Sequence, residues 1–369
     1  MRRLERIDAP GEHEAGERSW SVVRAAYEAR EPVAWPRRHA RPLVVGALVA
    51  AVVAAALSPP GRSVIHSLRK AVGVEQAQPE LFSLPAPGRL LVSGPGGAWI
   101  VNADGSRRRL GPYRDATWSP LGHFVAAVRA NELDALDLKG EVRWTLPRRS
   151  PRFPAWTGTR SDTRIAYVSG GRLRVVAGDG TGDRAVARAA PVAPAWRPGR
   201  GRMVAYARGR RIVVYSLEAL APVLVRRVPE APRRLEWSGD GRLLLVVAPH
   251  SVRVFGLQGV LFAEDNPPAG TRDVDAAFVP GSHRVGVIRV ARSTSNVVLL
   301  NRRRSLFRGT GALDQLRFSP DGRWLLVTWP TANEWVFVRT GGRHRIVGAS
   351  RISTQFGGFP RVASWCCAR

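Results

Sequence analysis

The chain has 369 residues, 57 Lys and Arg against 29 Asp and Glu, a net charge of +28, 44% hydrophobic residues and two cysteines. That hydrophobic share excludes a wholly disordered chain, and two cysteines in this length exclude a small disulfide-stapled scaffold. Nearly all the positive charge is Arg, with Lys only at Lys70 and Lys139, so a coding bias toward a GC-rich genome contributes to it as well as selection at the surface.

Residues 1–41 hold nine Arg against seven Asp and Glu, and a helix is predicted from Ser19 to Arg30. Trp20, Val22, Val23, Ala25, Ala26 and Tyr27 give it an apolar side, which reads either as a docking element or as a poorly ordered tail with local helicity. Residues 42–59 follow, centred on Leu43 to Leu57, fifteen residues without a charge or a hydrogen-bonding side chain. The stretch is short of the roughly 20 residues that span a bilayer, but Pro42 and Ser58 to Pro60 extend it. An uncleaved signal anchor is expected; a cleaved signal peptide ending near Ala54-Ala55-Ala56 is the rival, and a buried core helix the third reading. Arg37, Arg38 and Arg41 precede the segment while Arg62 is the near basic residue after it, which orients the N-terminus to the cytoplasm and the rest outside. Residues 60–88 read as a juxtamembrane helix from Ser63 to Val74 and a linker, Gln76 to Gly88, with Pro79, Pro85 and Pro87.

From residue 89 to 369 the pattern changes to a repeat. Trp118, Trp156, Trp196, Trp237, Phe278, Phe318 and Trp365 recur at spacings of 38, 40, 41, 41, 40 and 47 residues. Each anchor runs toward a turn and then an apolar, β-branched stretch: His123 to Val128, Arg164 to Val168, Met203 to Ala207, Leu243 to Val247, Val285 to Arg289 and Trp324 to Thr328. A further strand follows in most units, as at Leu173 to Ala177, Ile212 to Ser216, Val252 to Gly256, Asn296 to Leu300 and Trp335 to Arg339. A period near 40 residues that holds four short strands predicts an all-β propeller of seven blades, with six as the alternative. Before the first anchor, Arg89 to Leu110 already supplies the rest of one unit. Its missing strand is expected from the C-terminal Phe359 to Trp365, so that the last strand closes the ring.

The turns read Trp118-Ser119-Pro120-Leu121-Gly122, Trp237-Ser238-Gly239-Asp240-Gly241-Arg242 and Phe318-Ser319-Pro320-Asp321-Gly322-Arg323. They resemble the aromatic-Ser-Pro-Asp-Gly-basic motif of TolB-like, WD-type propeller repeats. Phe318 to Arg323 matches in full, whereas Leu121 replaces the Asp, Arg197 replaces the Ser after Trp196, and the unit at Trp156 keeps only its Trp. The resemblance implies fold far more than function.

No nucleophile elbow, phosphate-binding loop, dinucleotide fingerprint or zinc-protease helix is present, so no catalytic, cofactor-binding or metal residue is nominated and the ligand-binding residues are left open. Gly178 to Asp183 has a calcium-loop look but aligns with Asn102 to Gly105 as a hairpin turn. His13, His39, His66, His123, His250, His283 and His344 lack metal-ligand spacing, although His123, His250 and His283 could converge through the fold. Cys366 and Cys367 are adjacent, a geometry that resists bonding to one another. They read as an intermolecular or redox-labile pair, or as two small apolar residues. Residues 89–369 carry 45 of the basic and 20 of the acidic residues. Clusters at Arg107 to Arg109, Arg148-Arg149-Arg152, Arg208-Arg210-Arg211, Arg233-Arg234 and Arg302 to Arg304 mostly fall at predicted turns, as an acid-binding face or a solvated surface. With no nucleic-acid-binding signature, nucleic acid is not the expected partner. The expectation is a single-pass membrane protein of the cell envelope, its propeller binding or sensing a protein or an acidic envelope component without a cofactor. A hydrolase or lyase assembled in the channel and a structural envelope scaffold are the alternatives.

Overall fold

The structure is a computed structural model and describes residues 77–78, 83–199, 202–300 and 304–367. The expected tail, the apolar segment 42–59 and the helix over Ser63–Val74 lie outside the described residues. Among the described residues no helix is long and apolar enough to cross a membrane.

Seven antiparallel sheets stand around a central channel. Blade 2 shows the pattern, with strands Asp115–Trp118, Phe124–Arg129, Glu132–Asp137 and Val142–Pro147 running outward in chain order. The inner strands of blades 3 to 7 are Arg152–Gly158, Ala195–Trp196, Arg234–Trp237, Arg272–Phe278 and Leu316–Phe318. Blade 1 is made from both ends of the ring: Arg361–Cys366 pairs antiparallel with Arg89–Gly94, Leu90 opposite Trp365. Each inner strand packs against those of both neighbouring blades, blade 1 touching blades 2 and 7.

All seven anchors lie on inner strands, where the ring or indole wedges between sheets. Such wedging explains the repeat, since a wedge-shaped sheet must bury one large side chain at the same level in every unit. The cores are accordingly interblade: Trp237 packs with Ala205, Ile212 and Val214 of blade 4, and Phe318 with Ile288, Val297 and Leu299 of blade 6.

The motif turns obey one mechanism. Ser238 Oγ donates to Asp240 Oδ1 at 2.6 Å, and the same carboxylate accepts the Arg242 N–H at 3.1 Å while Ser238 Oγ accepts the Leu243 N–H at 2.9 Å. Ser319, Asp321, Arg323 and Trp324 repeat these bonds at 2.6, 3.1 and 2.9 Å. Gly241 and Gly322 both take φ +68°, a left-handed conformation that suits glycine.

Three features differ from expectation. The 47-residue spacing before Trp365 holds a helix, Ile352–Phe356, whose Phe356 ring lies 5.9 Å from Trp99 and 5.2 Å from Trp335, sealing blade 7 against blade 1. Part of the stretch read as linker belongs to the ring: Ala77–Gln78 adds parallel to the outer strand Ile346–Ser350 of blade 7, and Leu84 and Ala86 are buried. Cys366 and Cys367 are bonded to each other, correcting both the intermolecular pairing and the unbonded pair. The chain leaves its strand at Cys366, and Cys367 takes φ +65°, turning its sulfur back to its neighbour.

Candidate functional site

In every blade the inner strand starts at the face from which the sheet-to-sheet loops and the second-to-third-strand hairpins emerge. Successive blades therefore deliver the starts of their inner strands to one mouth of the channel. In blades 5, 6 and 7 charged residues stand one or three places before the anchor. Those positions hold Arg234 and Glu236 in blade 5, Asp275 in blade 6 and Arg317 in blade 7. They line a cavity of about 900 Å³ together with Arg152, Arg233, Asp314, Gln315 and Arg361.

Deep in the channel the charges are satisfied internally. Asp275 Oδ1 is 3.0 Å from Arg234 Nη1, and its Oδ2 is 2.7 Å from Arg317 Nη1 and accepts the Leu316 N–H at 3.1 Å. Glu236 accepts from Arg234 Nη2 at 2.5 Å and from the Phe278 N–H at 3.0 Å. Arg317 Nε donates to the Ala363 carbonyl at 3.2 Å, and Gln315 Oε1 accepts the Val362 N–H at 2.9 Å. The network thus ties blades 5, 6, 7 and 1. Burial pushes the Asp275 carboxyl up, but the Arg234 and Arg317 charges hold it below its ordinary range. Arg317 is lowered by burial and by repulsion from Arg234.

Nearer the mouth the balance is positive. Arg152, Arg233 and Arg361 are exposed and make no ion pair with any described residue, while Arg152 lies over the Phe153 ring at 4.7 Å. Asp314 lies in the same cavity, where burial raises its carboxyl and Arg361 opposes the rise, and Asp115 Oδ2 accepts the Phe153 N–H at 3.4 Å next to Arg152.

Other acidic residues are engaged structurally. Asp183, at the end of the calcium-like loop, accepts from Tyr167 Oη at 2.6 Å and Arg148 Nε at 2.7 Å, and it pairs with Arg174. Asp179 of the same loop accepts the Thr181 N–H and hydroxyl at 3.0 and 2.7 Å, so the segment is a hairpin turn. His250 meets Glu230 at 3.2 Å and His283 meets Asp240 at 2.9 Å, in separate pairs, and His123 joins neither. Among the described residues no group of three or more His, Cys, Asp or Glu is arranged to hold a metal. Arg302 and Arg303 lie outside the described residues, and Arg107 to Arg109 belong to the outer strand of blade 1, Arg107–Gly111.

No family model and no curated protein matches the chain. Solved structures match its fold. Hydrazine synthase from Kuenenia stuttgartiensis is 13% identical with a TM-score of 0.51, over 61% of this chain and 75% of that one. KlHsv2 carrying a Gly-Ser linker in place of loop 6CD is 14% identical with a TM-score of 0.53, over 71% and 93%. A chain of the mitotic checkpoint complex is 14% identical with a TM-score of 0.54, over 73% and 94%. At these identities the likeness is one of fold, a seven-bladed β-propeller.

Proposed function

We propose that this chain is a binding module in which the propeller captures an acidic protein or envelope component at the arginine-lined mouth of its channel. The observation that carries the reading is the contrast within one cavity: Arg234 and Arg317 are neutralised by Glu236 and Asp275, whereas Arg152, Arg233 and Arg361 are exposed and unpaired. Unpaired guanidiniums converging from blades 3, 5 and 1 suit a carboxylate- or phosphate-bearing surface. On this reading the chain is a divergent TolB-like propeller, held outside the cytoplasmic membrane by the apolar segment 42–59 with residues 1–41 in the cytoplasm. For a hydrolase or lyase the channel offers Asp314, whose carboxyl is raised by burial, because Glu236 and Asp275 are already bonded to arginine and backbone N–H groups.

Binding of poly-L-glutamate to the full chain tests the site. Saturable, salt-sensitive binding that is lost when Arg152, Arg233 and Arg361 are all changed to Glu supports it, and equal binding by that variant refutes it. Protease accessibility of tags at both ends of the chain in intact cells tests the topology; a C-terminal tag protected from external protease would reject the outward propeller.

A further inference from the structure

A second cavity, of about 670 Å³, opens between blades 2 and 3 on the face opposite the arginine mouth. That volume falls within the range of small-molecule sites. Its walls come from two of the places where the chain departs from the repeat motif. Leu121 stands where matching turns carry Asp, and the degenerate turn after Trp156 contributes Thr159, Arg160 and Thr163.

Three observations bear on this cavity. Trp196 Nε1 donates to the Ala155 carbonyl at 2.8 Å and Trp237 Nε1 to the Ala195 carbonyl at 3.1 Å, each reaching the inner strand of the preceding blade. Trp156 makes no such bond, and its buried indole N–H has no partner among the described residues. Trp118 and Trp365 also lack the bond, but Arg89 covers the first at 5.2 Å and Gly88 closes on the second; neither lines this cavity. Trp99 and Trp335 share the unmet N–H, and Trp156 lines the channel cavity as well, so the missing bond sets its ring apart from Trp196 and Trp237 without placing an acceptor here. Second, the Leu121 and Phe124 side chains at the opening are 47% and 41% exposed, large apolar groups that a solvated turn does not require. Trp144 is fixed as a further wall because its Nε1 donates to the Gly178 carbonyl at 2.9 Å. Third, the charge at the rim is unbalanced. Arg143 pairs with Asp137 at 2.7 Å, and Asp179 is occupied by Thr181, but Arg160 is exposed and without a partner among the described residues.

We propose that this cavity binds a small aromatic or alkyl carboxylic acid, with the apolar body against Leu121, Phe124 and Trp144 and the carboxylate answering Arg160. The apolar walls supply affinity, and the guanidinium selects the acid over a neutral analogue.

The probe is 2-naphthoate, with 2-naphthylmethanol as its neutral counterpart, titrated calorimetrically into the full chain. Saturable binding of the acid is expected. Arg160→Gln should weaken it about tenfold or more while leaving the alcohol unchanged, as loss of one charge-assisted bond implies. Leu121→Asp restores the motif turn on an exposed position, leaves folding intact and places a carboxylate at the opening, so it should abolish acid binding. Absence of saturable binding, equal affinity for acid and alcohol, or wild-type binding by both variants would overturn the proposal. So would tighter binding of a Phe-terminated tripeptide than of 2-naphthoate, which would reassign the cavity to a protein terminus. Poly-L-glutamate binding at the channel mouth should be unchanged in both variants, which separates this site from that one.

Discussion

Asp275 Oδ2 lies 2.7 Å from Arg317 Nη1 while its Oδ1 lies 3.0 Å from Arg234, so one carboxylate of blade 6 neutralises guanidiniums from the blades on either side. Its side chain is only 10% exposed. Asp275→Asn leaves two buried cations with less compensation and should destabilise the ring by about 3–5 kcal/mol, read from urea unfolding. Because the folded-state pKa of Asp275 is below its unfolded value, this contribution is fully present above an ordinary aspartate pKa of about 3.9 and is lost as pH falls through the folded value. Wild-type stability should therefore drop below about pH 4. The Asn variant should show a shallower fall, and an unchanged slope would reject the assignment.

Two glycines separate backbone strain from crowding. Gly281 takes φ +71° with open space around it, so Gly281→Ala should cost about 1–2 kcal/mol from the left-handed conformation alone. Gly122 takes φ +68°, and a Cβ there would sit 2.3 Å from Cys367 Sγ, so Gly122→Ala should cost clearly more. Equal thermal shifts for the two variants would mean that the Cys366–Cys367 hairpin does not press on blade 2.

The anchors differ in what their indoles do. Trp237→Phe removes a bond to the Ala195 carbonyl as well as ring volume, whereas the buried N–H lost in Trp156→Phe has no described partner. The Trp237 change should be the more destabilising by about 1 kcal/mol, measured by denaturant midpoints at constant slope.

Removing residues 361–369 deletes the inner strand of blade 1 and bares the edge of Arg89–Gly94. The expected result is loss of a single cooperative unfolding transition together with concentration-dependent association, seen by light scattering. A truncated chain that stays monomeric and unfolds cooperatively would count against closure by this strand.

Much of the fold was legible because wedge packing imposes one large aromatic per blade, and a 40-residue recurrence of Trp and Phe survives even where the turn chemistry has drifted. The expected strands agree with the observed ones to within a residue or two, as Met203–Ala207 against Met203–Arg208 illustrates. The helix Ile352–Phe356 was hidden because five residues are too few to show a helical period, although the stretched spacing announced an insertion. The charged network of the channel was missed for a different reason. Arg234, Glu236, Asp275 and Arg317 look like surface residues one at a time, and only the closed ring brings the starts of their strands together. The vicinal bond between Cys366 and Cys367 depends on one left-handed residue, which composition and spacing do not encode.

The two-ended construction of blade 1 also sets an order of events. Leu90 is synthesised among the first residues of the ring, and Trp365, its partner, among the last. Closing so long a loop carries a large entropic cost, and contacts this distant in sequence slow folding. Until the final strand is delivered, the hairpins of blades 2 to 7 form locally while Arg89–Gly94 waits with one edge open. During that interval Arg89–Gly94 is the edge that chaperones shielding unpaired strands would cover, letting go only after the last residues arrive.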